Sequence, residues 1–484
     1  MFATQSLTKQ FNSTATTTSS LTRKQQKQSR RRAGNQITRA SSANVEKPKD
    51  SPPPTSSATA TNPPTPPKKE DRKIVNGQDV PSFEDISTAH FRISSGVVRT
   101  RCVESHAMSK ATGSRIFFKH EWEQRTGSFK ERGARNALMS LSDAQKKKGV
   151  VAASAGNHAL ALAYHGAKLG IPVTVIMPSI APLTKITKCR DLQARVILHG
   201  ATIADAAKYG KEEYEKKEGL KYINGFDDFE IISGAGSMAL EILEDVKDVD
   251  AIVIPVGGAG LIAGCALAIK TLKPDCLVVG VEADRCQSMS AALKAGKPTL
   301  VPSGATLADG LAVPTVGPRS FETCKDLIDI MVTVSERDIA TALLRLVELE
   351  KLVQEGAGAS GLAGILANKI PQLKGKTVAV ALCGGNIDTS TLGYCIERGL
   401  VADGRLIKFE AVVSDRPGGI AGLCGVIAEA GASIKHINHD RARLGEESHS
   451  VLVTVECECT GPDMGKDLIQ RLDKNYKIIS TSML

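Results

Sequence analysis

The chain has 484 residues, 42% of them hydrophobic, with 62 Lys and Arg against 52 Asp and Glu for a formal net charge of +10. That length allows two to four domains with a large core, and no run approaches the ~20 consecutive apolar residues that a membrane span needs. The positive balance does not point to nucleic acid, because residues 1–45 hold eight Lys and Arg and no acid, and with those eight removed the 54 basic and 52 acidic residues nearly cancel.

Residues 1–45 carry Lys9, Arg23, Lys24, Lys27, Arg30, Arg31, Arg32 and Arg39 among Ser, Thr and Gln, without an apolar core stretch. This reads as an organelle transit peptide and not as a secretory signal. Ile37-Thr-Arg-Ala-Ser-Ser42 looks like a plastid processing region, so a plastid is the preferred address and a mitochondrion the alternative. Residues 46–75 bring Pro52-Pro-Pro54 and further Pro/Thr clusters, the composition of a disordered linker.

Between residues 85 and 400, apolar strand-like runs alternate with helix-like ones. Val173–Met177, Val196–Leu198, Ile252–Val256 and Leu277–Val281 are examples, punctuated by Gly170, Gly200 and Gly280. This alternation predicts an α/β fold with parallel sheets covered by helices on both faces. Four motifs lie in this frame. Glu121-Trp-Glu-Gln-Arg-Thr-Gly-Ser-Phe-Lys130 leads into a helix-like run with Ala134, Ala137, Leu138 and Leu141 on one side. A lysine amine at such a junction is a candidate for a Schiff base with a carbonyl cofactor, pyridoxal 5'-phosphate. Ser154-Ala-Gly-Asn-His158 follows the apolar run Val150–Ala153 and precedes Ala159–Tyr164. A strand–loop–helix of this kind aims N–H groups at an anion such as a substrate carboxylate, and an ordinary N-capped helix is the competing reading.

The third motif, Gly257-Gly-Ala-Gly-Leu261, follows Ala251–Val256 and opens a helix-like run to Ile269. Its glycines suit a phosphate loop, although the spacing is neither that of a dinucleotide fingerprint nor that of a P-loop. A purely architectural turn is the alternative. The fourth, Cys383-Gly-Gly-Asn386, follows the strand-like Thr377–Leu382. A cysteine there could meet a ring nitrogen without bringing a formal charge, or could serve as a small buried hydrophobe.

After Arg398–Gly404, where a break is expected, the pattern changes to strand Leu406–Val413, helix Ile420–Ala430, strand Ile434–Ile437, strand Val451–Cys457, helix Met464–Leu472 and a strand near Lys477–Ile479. The order β-α-β-β-α-β predicts a ferredoxin-like module. Eleven cysteines show no C-x-x-C pair and nine histidines no zinc-like cluster, so reduced thiols and no metal site are expected.

Taken in order, these motifs resemble the fold-type II pyridoxal-phosphate family, and within it the catabolic-type threonine ammonia-lyases (threonine dehydratases). Thr306-Leu-Ala-Asp-Gly310 and Glu355-Gly-Ala-Gly358 match as well. The phosphate loop departs from the family pattern, with Ala259 in place of its third glycine. The C-terminal module, with Asp415-Arg-Pro-Gly-Gly419 at its first turn, resembles an ACT domain. The resemblance implies two parallel-sheet subdomains, the smaller spanning roughly 155–195. It implies a catalytic domain over 76–400 and an ACT regulatory domain over 405–484.

For the chemistry, the resemblance implies that Lys130 holds the cofactor and, once freed, removes the substrate's Cα proton. Phe129 would lie beside the ring, Asn157 would bond its phenolic oxygen, and Cys383 would face its nitrogen. Gly257, Gly258, Ala259, Gly260 and Leu261 would hold the phosphate, and Ser154, Ala155, Gly156, Asn157 and His158 the substrate carboxylate. The expected reaction is β-elimination of L-threonine, and of L-serine, to 2-oxobutanoate or pyruvate and ammonia. An amino-acid or nucleotide effector would act through the ACT domain of a homo-oligomer, dimer or tetramer. Two alternatives stand beside it: a serine racemase/serine dehydratase of the same fold, and a non-enzymatic amino-acid sensor. Ala155 disfavours racemisation, since that enzyme needs an acid/base side chain at this position. Neither nucleic acid nor membrane is an expected partner.

Overall fold

The computed structural model describes residues 72–441 and 449–482. The transit-peptide region and residues 46–71 of the expected linker lie outside the described residues. The last four linker residues do not behave as linker: Lys73–Val75 pairs with Gln78–Val80 in an antiparallel hairpin.

A six-stranded sheet forms the larger subdomain. Its strands run in the order Ile330–Val334, Leu277–Ala283, Ala251–Pro255, Thr377–Leu382, Arg115–His120 and Cys102–Ser105. All neighbours are parallel except the edge strand Cys102–Ser105. The inner strands are apolar throughout because helices cover both faces, and Ala251, Ile252, Val253, Ile254, Val378, Ala379 and Val380 are fully buried.

Three neighbouring parallel strands, Ala251–Pro255, Thr377–Leu382 and Arg115–His120, end on the same side. The glycine-rich loop, the cysteine loop and the lysine segment therefore leave the sheet beside one another, where open α/β sheets bind ligands. The smaller subdomain holds a parallel four-stranded sheet in the order Arg195–Leu198, Val173–Met177, Val150–Ala153, Lys221–Tyr222. It extends beyond the expected 155–195 at both ends, because Val150 and Val151 pair with Lys221 and Tyr222 far along the chain.

The helix Lys130–Met139 lies against Phe229–Asp245 at very close range. A Cβ at Gly234 would sit 2.6 Å from the Arg132 carbonyl oxygen, and one at Gly133 2.9 Å from that of Ile231. Two glycines thus seat the helix whose first residue is Lys130.

The expected break at 398–404 falls at the C-terminal end of that span. Residues up to Ala402 complete the helix Thr389–Ala402, and the chain turns only at Asp403 and Gly404. Beyond it, Leu406–Ser414, Ser433–Asp440, Ser450–Glu458 and Lys477–Ser482 form an antiparallel sheet with the two central strands flanked in the ferredoxin-like order. Ile407, Phe409, Ala411 and Val413 alternate inward with Val451, Val453, Val455 and Cys457, and Leu423, Ile427, Leu468 and Leu472 of the two helices close this core. Among the described residues no helix is long and apolar enough to cross a membrane.

Candidate active site

Lys130 is the first residue of its helix, so its segment leaves the sheet and turns into the site in one step. The turn is zipped to the cysteine loop by backbone hydrogen bonds. Phe129 N–H donates to Cys383 O at 3.0 Å, Gly385 N–H donates to Gly127 O at 3.0 Å, and Ser128 bridges to Gly384. Gly127 has φ +79°, and a Cβ there would meet Asn386 Oδ1 at 2.7 Å, so glycine is needed twice over.

The Lys130 ammonium has no carboxylate partner among the described residues. It donates to Gly225 O at 2.5 Å and lies 5.0 Å from the Phe129 ring centroid. Burial lowers its pKa from 10.5 to about 8, with Cys383 and Glu355 acting the other way. A neutral amine is therefore accessible close to physiological pH, as attack on a carbonyl requires. Cys383 is buried, and burial pushes its thiol far up, so it stays neutral.

The other predicted residues surround this amine. The helix Asn157–Leu169 follows Ser154–Gly156, and Ser154 Oγ accepts from Gly156 N–H at 3.2 Å. Ala155 is half-buried. No protein acceptor among the described residues meets the N–H of Ala155, Asn157 or His158. Asn157 Nδ2 donates to Glu355 Oε1 at 2.8 Å, and its Oδ1 accepts from Asn386 at 2.8 Å, which leaves one amide N–H for a ligand oxygen.

The His158 side chain is enclosed. Its ring is buried beside Ile223 O at 3.3 Å, and a Cβ on Gly225 would lie 2.9 Å from it. Burial, then the charge of Lys130, pushes it down to about 3, so it is a neutral wall residue. Only its backbone N–H can serve a carboxylate.

The glycine-rich loop opens the helix Gly260–Leu272, with Ala259 held at φ +71°. A Cβ on Gly258 would meet the Phe226 ring at 2.3 Å, and one on Gly260 would meet Phe226 O at 2.2 Å. Among the described residues the N–H groups of Gly257, Gly258 and Ala259 find no acceptor, and those of Gly260 and Leu261 belong to the first helical turn. The loop thus offers free backbone donors at a helix N-terminus, a phosphate cradle. Gly225 and Phe226 join it to the lysine; nothing in the sequence singled them out beyond the Asn224-Gly225 turn signal.

Glu355 was noted in the sequence but given no role. It is 7% exposed, caps the helix Gly356–Leu366 and is bonded by Asn157. Burial and then Asp309 raise its carboxyl to about 7. Ser128 Oγ and the Gln354 amide are buried polar groups without a protein partner.

Below the lysine lies a buried charge cluster. Arg132 is fully buried and bonds Glu121 Oε1 and Glu241 Oε1, each at 2.7 Å. Lys119 bonds Glu241 Oε2 at 2.7 Å and Thr100 O at 2.6 Å, and Thr100 Oγ1 donates to Glu121. Burial opposes the Arg132 charge, but Glu121 and Glu241 together hold its pKa well above the usual value. Arg132, two residues from Lys130, and Lys119 are thus paired with Glu121 and Glu241, and Lys119 also lies 3.8 Å from Asp245.

No cluster of His, Cys, Asp or Glu among the described residues could hold an ion. Glu282 instead accepts from Ser290 N–H and Oγ at the start of the next helix. All eleven cysteines are free.

An amine with a lowered pKa, a neutral buried thiol, a phosphate cradle and a second ring of free N–H donors form the donor set of a pyridoxal 5'-phosphate enzyme of fold type II. Residues 93–384 match the family described as pyridoxal-phosphate dependent enzyme, and the chain belongs to it. An L-threonine ammonia-lyase of Thermotoga maritima is 45% identical over 361 residues, 75% of this chain and 89% of that protein. The processed form of threonine deaminase isoform 2 from Solanum lycopersicum is similar with a TM-score of 0.62 at 34% identity, over 67% of this chain and 96% of that one. Serine racemase from Dictyostelium discoideum is similar with a TM-score of 0.60 at 33% identity, over 63% of this chain and 99% of that one.

Proposed function

We propose that the chain is a threonine ammonia-lyase that converts L-threonine, and L-serine, into a 2-oxo acid and ammonia by β-elimination. The observation that carries this is the Lys130 amine, free of any ion pair and brought to about pKa 8, beside the uncharged Cys383. Bound pyridoxal 5'-phosphate supplies the electron sink that acidifies the substrate's Cα–H bond. Lys130 would hold it, Gly257–Leu261 its phosphate and Asn157 its phenolic oxygen.

The chain's own groups do the rest. The N–H donors of residues 155–158 orient the substrate carboxylate, and Lys130 Nζ takes the Cα proton from one face. The Cys383 thiol would give the cofactor's ring nitrogen no counter-charge, which would favour loss of the β-hydroxyl. Serine racemase is the second reading, favoured by the similarity to the Dictyostelium enzyme. It needs a proton donor on the opposite face, and the methyl group of Ala155 cannot be one.

The ferredoxin-like order of residues 406–482 supports an ACT-type regulatory module, and its edges support assembly into a dimer or tetramer. The composition of residues 1–45 supports delivery to an organelle, a plastid in preference to a mitochondrion. The test is 2-oxo acid formation from L-threonine, L-serine and D-serine, with and without isoleucine, valine or AMP, for the wild type and Lys130→Ala. Wild type should act on L-threonine and the variant should not. D-serine formed from L-serine, without 2-oxo acid from L-threonine, would establish the racemase instead.

A further inference from the structure

A cavity of about 410 Å³ lies apart from the glycine and cysteine loops and meets the lysine segment only at Arg125. Gly96, Arg125, Arg135, Tyr164, His165 and Lys168 are among the residues that line it. Three of these are permanent cations, and none of the three has a hydrogen bond or ion pair with a carboxylate among the described residues. Arg135 is the most constrained. Its guanidinium lies across Gly96, where a Cβ would come within 1.8 Å of Cζ, and its Nε is buried without a partner. Burial lowers its pKa.

The nearest acid is already used. Glu131 Oε2 is 3.0 Å from His165 Nε2, both residues fully buried, and Glu131 Oε1 accepts from Thr126 N–H. His165 Nδ1 has no partner. Lys168 Nζ stands 6.0 Å over the Tyr164 ring, and Tyr164 sits edge-on to His165 at 4.9 Å.

Like charges do not gather around a cavity without a counter-ion at no cost. Two guanidinium forks and an ammonium are the donor set that recognises a multiply charged oxyanion. We infer that this cavity is a binding site for a phosphate-class dianion, distinct from the cofactor's phosphate loop.

Its placement gives the site access to the chemistry. Arg135 is five residues into the helix that starts with Lys130, so it lies about 7.5 Å along the axis from the catalytic end. Tyr164, His165 and Lys168 belong to the helix that starts at Asn157. Ser95–Val98, on the opposite wall, follow the helix Phe83–Ile93 packed on the larger subdomain. An anion here ties both catalytic helices to that wall.

The test is calorimetric titration of the cofactor-loaded full chain with inorganic phosphate, so that the cofactor's own phosphate loop is filled. One equivalent per chain should bind. Arg135→Gln and Lys168→Glu, on separate helices, should each weaken binding about tenfold or more with the cofactor's visible absorbance unchanged. Lys168 is exposed, so its variant reads the site without a folding penalty. Acetate, a monoanion, should not compete. Wild-type affinity in both variants, no uptake by the loaded enzyme, or equal competition by acetate would each overturn the assignment.

Discussion

Arg132→Met removes one cation from the buried cluster and nearly preserves side-chain volume. Lys119 then still faces Glu241, with Asp245 at 3.8 Å, and Glu121 is left without a cation at a site 0% exposed. Breaking a buried pair in this way costs about 3–5 kcal/mol. At roughly 2–4 °C of Tm per kcal/mol, a drop of roughly 6–20 °C is expected. Thermal unfolding of the loaded enzyme, followed by visible absorbance and far-UV circular dichroism together, measures it. The control is the double variant Arg132→Met/Glu121→Gln. It restores neutrality, with Lys119 against Glu241 at 2.7 Å, and should recover at least half of the lost stability. A single-variant loss under about 1 kcal/mol, or a double variant as damaged as the sum of its parts, would refute the claim that charge balance holds this helix start in place.

Glu355→Gln tests the buried carboxyl. Its folded pKa is raised from 4.5 to about 7, so ionisation is penalised in the folded state and wild-type stability falls as pH rises through that window. The apo variant should match wild type at pH 4.5 and gain up to about 3 kcal/mol above pH 7, whereas a gain independent of pH in thermal melts would sink the reasoning. Ala259→Gly relieves a left-handed backbone at φ +71° and should stabilise the chain by about 0.5–1 kcal/mol, read as a small rise in the urea midpoint at unchanged slope.

The parts of this fold that sequence makes legible are those set by local physics. Runs such as Ile252–Val256 are apolar at every position because both sheet faces are covered, and the alternation in Leu406–Val413 follows the two-residue period of a half-covered sheet. The misread places depend on distant partners. Lys221–Tyr222 is a two-residue strand that exists only because Val150 and Val151 offer it an edge. Gly399 suggested a break, yet it lies inside a helix and is glycine because a Cβ would strike Ala340 O and Leu344 Cβ at 2.9 Å. The Asn76-Gly77 hairpin signal was present, but Pro-rich surroundings masked it. Lys119 and Arg132 carry no mark that distinguishes them from solvated charges.

The active site divides along the same line. Gly258 and Gly384 signal that something approaches the backbone closely, but a glycine cannot name what approaches. The partners are Phe226, whose ring a Gly258 Cβ would meet at 2.3 Å, and Glu355, whose Oε1 is the nearest atom to a Cβ on Gly384. Phe226 comes from a segment that carries no motif of its own and Glu355 from one whose match gave it no role, and both are brought in by a strand order that is not the chain order. The loops that touch the cofactor are therefore readable as local backbone exceptions. The residues that hold those loops in place are readable only once the sheet has been closed, and Glu355 among them acts on the pKa of Lys130 after burial and Cys383.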